Sequence, residues 1–165
     1  MSSSVSKIAK EAGVSPATIY VYYQNKEDLL VSTYIDIKQK LSSVMLKDFN
    51  EEQPIRDTMK TFWLNAFKYI RLNPDYFKFM EQFSNSPYSG LINKQEVEKY
   101  FEPMFKVLQK GIAQKIIKDV HFEMLGAFIF YPLMTLANPR LCESIDINDE
   151  TINQAFTLAW DAIKL

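Results

Sequence analysis

His121 and Cys142 are the only imidazole and the only thiol in 165 residues, so covalent or metal chemistry has little to work with. His121 stands beside Asp119 and Glu123, and a metal could be drawn between them. A zinc-type site takes nitrogen and sulfur ligands from several residues, however, and one histidine with a distant cysteine does not supply them. A solvated helix start explains these three residues better. No Ser/His/Asp set assembles around a lone histidine, and no glycine-rich loop could cradle a phosphate. Carboxylates are plentiful but fall on polar helix faces, which singles out no acid–base pair. The expectation is no catalysis, no metal and no cofactor.

Recognition remains, and residues 4–30, SVSKIAKEAGVSPATIYVYYQNKEDLL, are where it concentrates. Val5, Ile8, Ala9 and Ala12 recur at the spacing of one apolar helix face, and Ser4 can cap that helix. Gly13 follows, where a chain leaving a helix often needs a positive φ. Ser15 offers an oxygen to the free amides of a second helix, and Pro16 suits its first position because the missing N–H costs nothing there. The spacing predicts a helix-turn-helix, whose second helix lies in the DNA major groove while the first crosses behind it. Ala9 is small enough for the two helices to cross closely. Ile19 faces inward, leaving Ala17, Thr18, Val21 and Tyr22 outward, although Tyr20, Tyr22 and Tyr23 could equally be a packing cluster.

The segment IAKEAGVSPATIYVYYQNKEDLL resembles the DNA-binding segment of the tetracycline-repressor (TetR) family of bacterial transcriptional regulators. The resemblance takes in Ile8, Ala9, Gly13, Val14, Ser15, Thr18, Tyr20, Tyr23, Lys26, Glu27, Leu29 and Leu30 without a gap. It implies that Thr18, Tyr20 and Tyr22 meet phosphates or base edges and that Lys26 holds a phosphate. Pro16, Ala17 and Val21 would touch thymine methyl groups. In that family a further helix precedes the pair, whereas only Met1 to Ser3 stand before Ser4 here, so the resemblance implies a head without its first helix.

The elements that must position this pair are all helical in pattern. Lys26 to about Leu46 reads as a connecting helix with Leu29, Leu30, Ile37, Leu41, Val44 and Met45 in register. Phe49 to Gln53 reads as a turn, and Pro54 opens a helix striped by Ile55, Met59, Phe62, Trp63, Ala66, Phe67 and Ile70. Asn73 and Pro74 stop it and start a short helix through Phe77, Met80 and Phe83, and Ser84 to Gly90 is a loop by composition. A long helix is expected from about Asn93 to Ile117, which Pro103 must kink or truly begin. Val120 to Ala137 is apolar nearly all round, with Pro132 as a bend and Asn138–Pro139 as its end. A last helix from about Asn148 aligns Ile152, Ala155, Phe156, Ala159, Trp160 and Ile163.

Residues 1–46 would then be a helix-turn-helix head with its connecting helix, and residues 47–165 an all-α bundle for ligand binding and dimerisation. Hydrophobic residues make up 47% of the chain, ample for a core, while a net charge of −1 gives no global attraction to nucleic acid. Trp63, Phe67, Phe77, Met80, Phe83, Met104, Phe105, Met124, Phe128 and Tyr131 are candidates to line an apolar cavity. Phe130, Leu133, Phe156 and Trp160 are candidates for a homodimer face. The apolar run Met124 to Ala137 is shorter than the roughly 20 residues that span a bilayer, and no signal-peptide pattern opens the chain. A lone cysteine suits a reducing, cytoplasmic setting. The expected partners are a palindromic operator in double-stranded DNA, a small apolar or aromatic effector and a second copy of the chain. The competing expectation is a dimeric helical ligand-binding protein that does not bind DNA.

Overall fold

Two hydrogen bonds close the first helix and set the angle of everything before residue 23. The computed structural model describes residues 4–138 and 142–165, and the head begins with α1 (Val5–Glu11) and α2 (Pro16–Tyr22). Gly13 takes φ +69°, so Val14 N–H reaches the carbonyl of Ala9 at 3.0 Å and Gly13 N–H that of Lys10 at 3.2 Å. That pair satisfies carbonyls a helix end would otherwise leave unpartnered. Ser4 and Ser15 cap the two helices, accepting from Lys7 N–H at 3.3 Å and Thr18 N–H at 3.1 Å. Val5, Ala9 and Ile19 are buried together, with Ile8, Tyr23 and Leu29 packed round them. Leu29 belongs to α3 (Lys26–Met45), so the small core of the head is completed by the helix that leaves it.

The body follows as α4 (Ile55–Leu72), α5 (Pro74–Ser84), a 3-10 turn at Pro87–Leu91, α6 (Lys94–Tyr100), α7 (Glu102–Ala113), α8 (Phe122–Ala137) and α9 (Asp149–Ile163). α4 is the axis, packed against α3, α5, α7, α8 and α9. Its predicted stripe from Ile55 to Ile70 is buried throughout. Trp63 has no exposed surface, stacks on Phe67 with centroids 5.7 Å apart, meets Phe156 of α9 edge-on at 6.0 Å and donates its indole N–H to the carbonyl of Ile129 at 2.8 Å. Asn65 donates to the carbonyls of Met45 and Lys47 at 3.3 and 3.0 Å, holding the end of α3 against α4. The main core already includes Ile37, Leu41 and Met45, so half of α3 belongs with the body rather than with a head ending at residue 46.

The long helix expected from Asn93 is two helices, broken at Phe101, with Pro103 in the first turn of α7. Proline is suited to that first turn and unsuited to a helix interior. α7 ends at Ala113 through Lys115, which takes φ +57°, and Ile116 and Lys115 N–H groups bond back to Gly111 and Ile112. The turn lays Ile117 over Gly111, where any side chain would collide: a Cβ there would lie 2.5 Å from Ile117 Cδ1. Ile117 then bridges antiparallel to Lys164, an extended pairing that the periodicity did not predict. α8 begins at Phe122 with exposed His121 as its cap and runs on through Pro132. Within the expected loop after Ser84, a 3-10 turn forms at Pro87–Leu91. Asn148 and Thr151 form a reciprocal capping box at the start of α9. The expectations that fell on Met1–Ser3 and Pro139 lie outside the described residues. No helix among the described residues is long and apolar enough to cross a membrane.

Two substitutions test this architecture. Phe156→Ala empties a fully buried site between α4 and α9 and should cost about 3–5 kcal/mol in urea unfolding. A loss below about 1 kcal/mol would show that Phe156 is not core. Gly13→Ala puts a Cβ on a left-handed residue and should cost about 1–2 kcal/mol, read as faster proteolysis confined to residues 4–23.

Candidate nucleic-acid interface and effector region

Ile19 and Tyr23 are drawn into the small head core, and this decides which residues of α2 are left to face outward. Pro16, Ala17, Thr18, Tyr20, Val21 and Tyr22 are all exposed, Val21 and Tyr22 each to 76%. The three tyrosines therefore do not form one packing cluster: Tyr23 packs, while Tyr20 and Tyr22 project. Thr18 keeps its hydroxyl 2.9 Å from that of Ser15 at the start of the helix. Lys7 and Lys10 are exposed on α1. Lys26, at the first position of α3, is partly buried with its ammonium 5.8 Å from the ring centroid of Tyr88. Tyr88 was missed in the sequence, because it sits in a stretch read as loop and nothing local announces that the 3-10 turn folds back onto α3. Such a surface offers hydroxyls, one apolar ridge and a few ammonium groups, which suits hydrogen bonding and van der Waals contact in a groove.

The candidate cavity residues separate into two groups. Trp63, Phe67, Phe77, Met80, Phe83 and Met104 are buried, and Phe105 is half-buried, edge-on to Phe122 at 6.0 Å. Met124, Phe128 and Tyr131 are exposed, Tyr131 to 68%, and so do not wall an interior cavity. α8 buries Leu125, Ile129, Leu133 and Ala137 instead, which turns the other three outward. The candidate dimer residues are corrected in the opposite sense. Leu133, Phe156 and Trp160 are buried within this chain's own core, and Phe130 packs against it, so the first three have no surface to offer a partner. Because α8 is apolar round most of its circumference, periodicity could not reveal which side met α4. Instead Phe128, Pro132, Leu136, Ile145, Leu158 and Ala162 line an open apolar groove between α8 and α9, with Leu158 exposed to 74%.

Lys38 is set apart among the body's cations by its two ring neighbours. Lys38 of α3 is partly buried, its ammonium 5.9 Å from the centroid of Tyr34 and 5.3 Å from that of Phe101. Desolvation by its surroundings holds it below the ordinary lysine pKa. Tyr34 in turn stacks on Phe83 at 4.5 Å, and Phe83 on Phe79 at 6.0 Å. On α4, burial raises the pKa of Tyr69, whose hydroxyl has no hydrogen-bond partner among the described residues.

Residues 2–33 match the family described as bacterial regulatory proteins, tetR family, and residues 54–164 match the tetracyclin repressor-like C-terminal domain. A TetR family transcription regulator from Marinobacter aquaeolei VT8 is 32% identical, with a TM-score of 0.89 over 98% of this chain and 85% of that one. An uncharacterized HTH-type transcriptional regulator of Haemophilus influenzae is 25% identical over 162 residues, 98% of this chain and 84% of the relative. The fatty acid metabolism regulator protein of Bacillus subtilis is 40% identical over 57 residues, 34% of this chain and 29% of that protein. A helix-turn-helix with its outer face exposed, carried on a helical bundle and alike in sequence to such regulators along nearly its whole length, places the chain in the tetracycline repressor family of DNA-binding transcriptional regulators.

Proposed function

We propose that this regulator is a repressor that acts in the cytoplasm as a homodimer on a palindromic operator and is released by a small, mostly apolar effector. The observation that carries the operator reading is the exposed row Ala17, Thr18, Tyr20, Val21 and Tyr22 on a helix anchored by Ile19. Thr18, Tyr20 and Tyr22 bind phosphate or base edges, Pro16, Ala17 and Val21 touch thymine methyl groups, and Lys26 neutralises a phosphate beside the groove. The competing reading, a ligand-binding protein without DNA activity, does not account for large apolar and aromatic side chains left exposed on a short helix.

Dimerisation follows from the groove between α8 and α9. Exposed Met124, Phe128, Tyr131 and Leu158 make this an apolar face larger than isolated surface residues explain. A second copy of the same face, related by a two-fold axis, covers it as a four-helix bundle. Two heads then meet two half-sites, and the operator inherits the symmetry. The effector lodges where α4 faces α7, among Trp63, Phe67, Met104 and Phe105. Trp63 and Phe67 stack on each other and Met104 is buried with them in one core, so the effector must part these side chains, and Met80 and Met104 are suited to repacking. It shifts the heads only as far as it binds one spacing better than the other.

Footprinting on DNA flanking the protein's own gene tests the operator reading; a dimer that protects no site at low salt would reject it. Lys26→Ala should weaken binding alike on all sequences and lower the slope of log affinity against log salt by about 1. For the interface, Leu158→Asp should sediment as a folded monomer with undiminished helical circular dichroism, whereas an unchanged dimer would place the contact elsewhere.

A further inference from the structure

Lys38 is a cation without a counterion, in a place where one would be expected. Its neighbours on α3, Asp36 and Lys40, pair with each other at 2.7 Å on the exposed side of the helix. Two residues from each, Lys38 points the other way and meets rings, Tyr34 from its own helix and Phe101 from the joint between α6 and α7. Among the described residues no carboxylate lies within ion-pair distance of it and no acceptor takes its N–H groups. Two ring faces stabilise an ammonium partly, yet they carry no net charge and leave three donors unused. Even partial burial without a partner is costly, and desolvation lowers its pKa accordingly. Beyond Tyr34, Phe83 and Phe79 continue an aromatic layer from α3 to α5, and the nearby Ser42 hydroxyl is already committed to the carbonyl of Tyr100.

We propose that Lys38 binds the anionic end of the effector, so that the compound this body takes is an amphiphile with an apolar body and one carboxylate. The inference rests on the effector reading above and narrows it. A single ammonium balances a single negative charge, so the head is a monoanion rather than a phosphate carrying two. From Lys38 the apolar portion passes Phe101, at the joint between α6 and α7, into the region where α4 faces α7. An arriving carboxylate takes the N–H groups of Lys38, and in a desolvated setting each charge stabilises the other. Lys38 also lies on the helix that begins with Lys26, roughly 18 Å along at the usual rise per residue. Forming the pair therefore acts directly on the element that carries the head.

The test titrates the whole chain with octanoate, dodecanoate and 4-phenylbutyrate, each set against its neutral alcohol, by calorimetry and tryptophan fluorescence. At least one carboxylate should bind tenfold or more tightly than its alcohol. Lys38→Met should abolish that preference while leaving alcohol binding within twofold, and Lys38→Arg should keep it. The melting temperature of Lys38→Met should be no lower than that of the parent, since an unpartnered ammonium is exchanged for an apolar chain of similar length; Lys38→Gln serves if the Met variant fails to fold. Alcohols binding as tightly as carboxylates, or a preference that survives Lys38→Met, would overturn the proposal and leave the apolar-effector reading standing. Binding of neither class at millimolar concentration would overturn both.

Discussion

The indole of Trp63 is the point on which the body turns. A tryptophan with no exposed surface must find an acceptor for its N–H or lose the free energy of a buried, unpaired donor. It finds the carbonyl of Ile129 at 2.8 Å, which ties α4 to the middle of α8, while its ring meets Phe67 and Phe156 and so reaches α9 as well. That acceptor lies in the turn of α8 that also contains Pro132. A proline there has no N–H for the carbonyl of Phe128 and crowds the turn before it. The bond agrees with the rotation that packing imposes on α8: Leu125, Ile129, Leu133 and Ala137 go inward and Phe128 and Tyr131 go outward.

The head depends on a different constraint, one of backbone geometry. Its buried core is three side chains, Val5, Ala9 and Ile19, too few to define an angle between helices by packing alone. The turn at Gly13 defines it instead, through bonds from Val14 and Gly13 back into α1. Tyr23 and Leu29 then join this cluster to α3, whose other half is embedded in the main core. One helix thus contributes side chains to both cores, and the contact of Lys26 with Tyr88 adds a second link at the same end.

The interior of the body is polar at few places, and those places are informative. Ser42 is buried and donates to the carbonyl of Tyr100, fastening α3 to the end of α6. From α4, Asn65 satisfies the carbonyl of Met45 at the end of α3 and that of Lys47 just beyond it. Buried Ser42 and half-buried Asn65 are thus polar groups with partners. Lys38 has rings where those residues have hydrogen bonds, and this contrast within one helix bundle sets it apart.

By itself the sequence determined the helix-turn-helix, because its signals are local: a cap at Ser4, a left-handed glycine at Gly13, a cap at Ser15 and a proline at Pro16 act within a few residues of one another. The stripe of α4 was equally legible, since its apolar face is narrow and its phase unambiguous. Pro103 posed a choice between a kink and a helix start, which the packing of α6 against α3 and of α7 against α4 decided. The face α8 presents was not legible at all. A helix apolar on every side carries no phase, so the pattern does not say that Leu133 goes inward and Phe128 and Tyr131 outward; packing of Leu125, Ile129, Leu133 and Ala137 into the core decides it. Phe156 and Trp160 looked available to a partner for a related reason: a single amphipathic stripe does not say whether it meets its own chain or another. The approach of Phe101 to Lys38 and of Tyr88 to Lys26 joins residues more than 60 positions apart, and only the tertiary structure could bring them together.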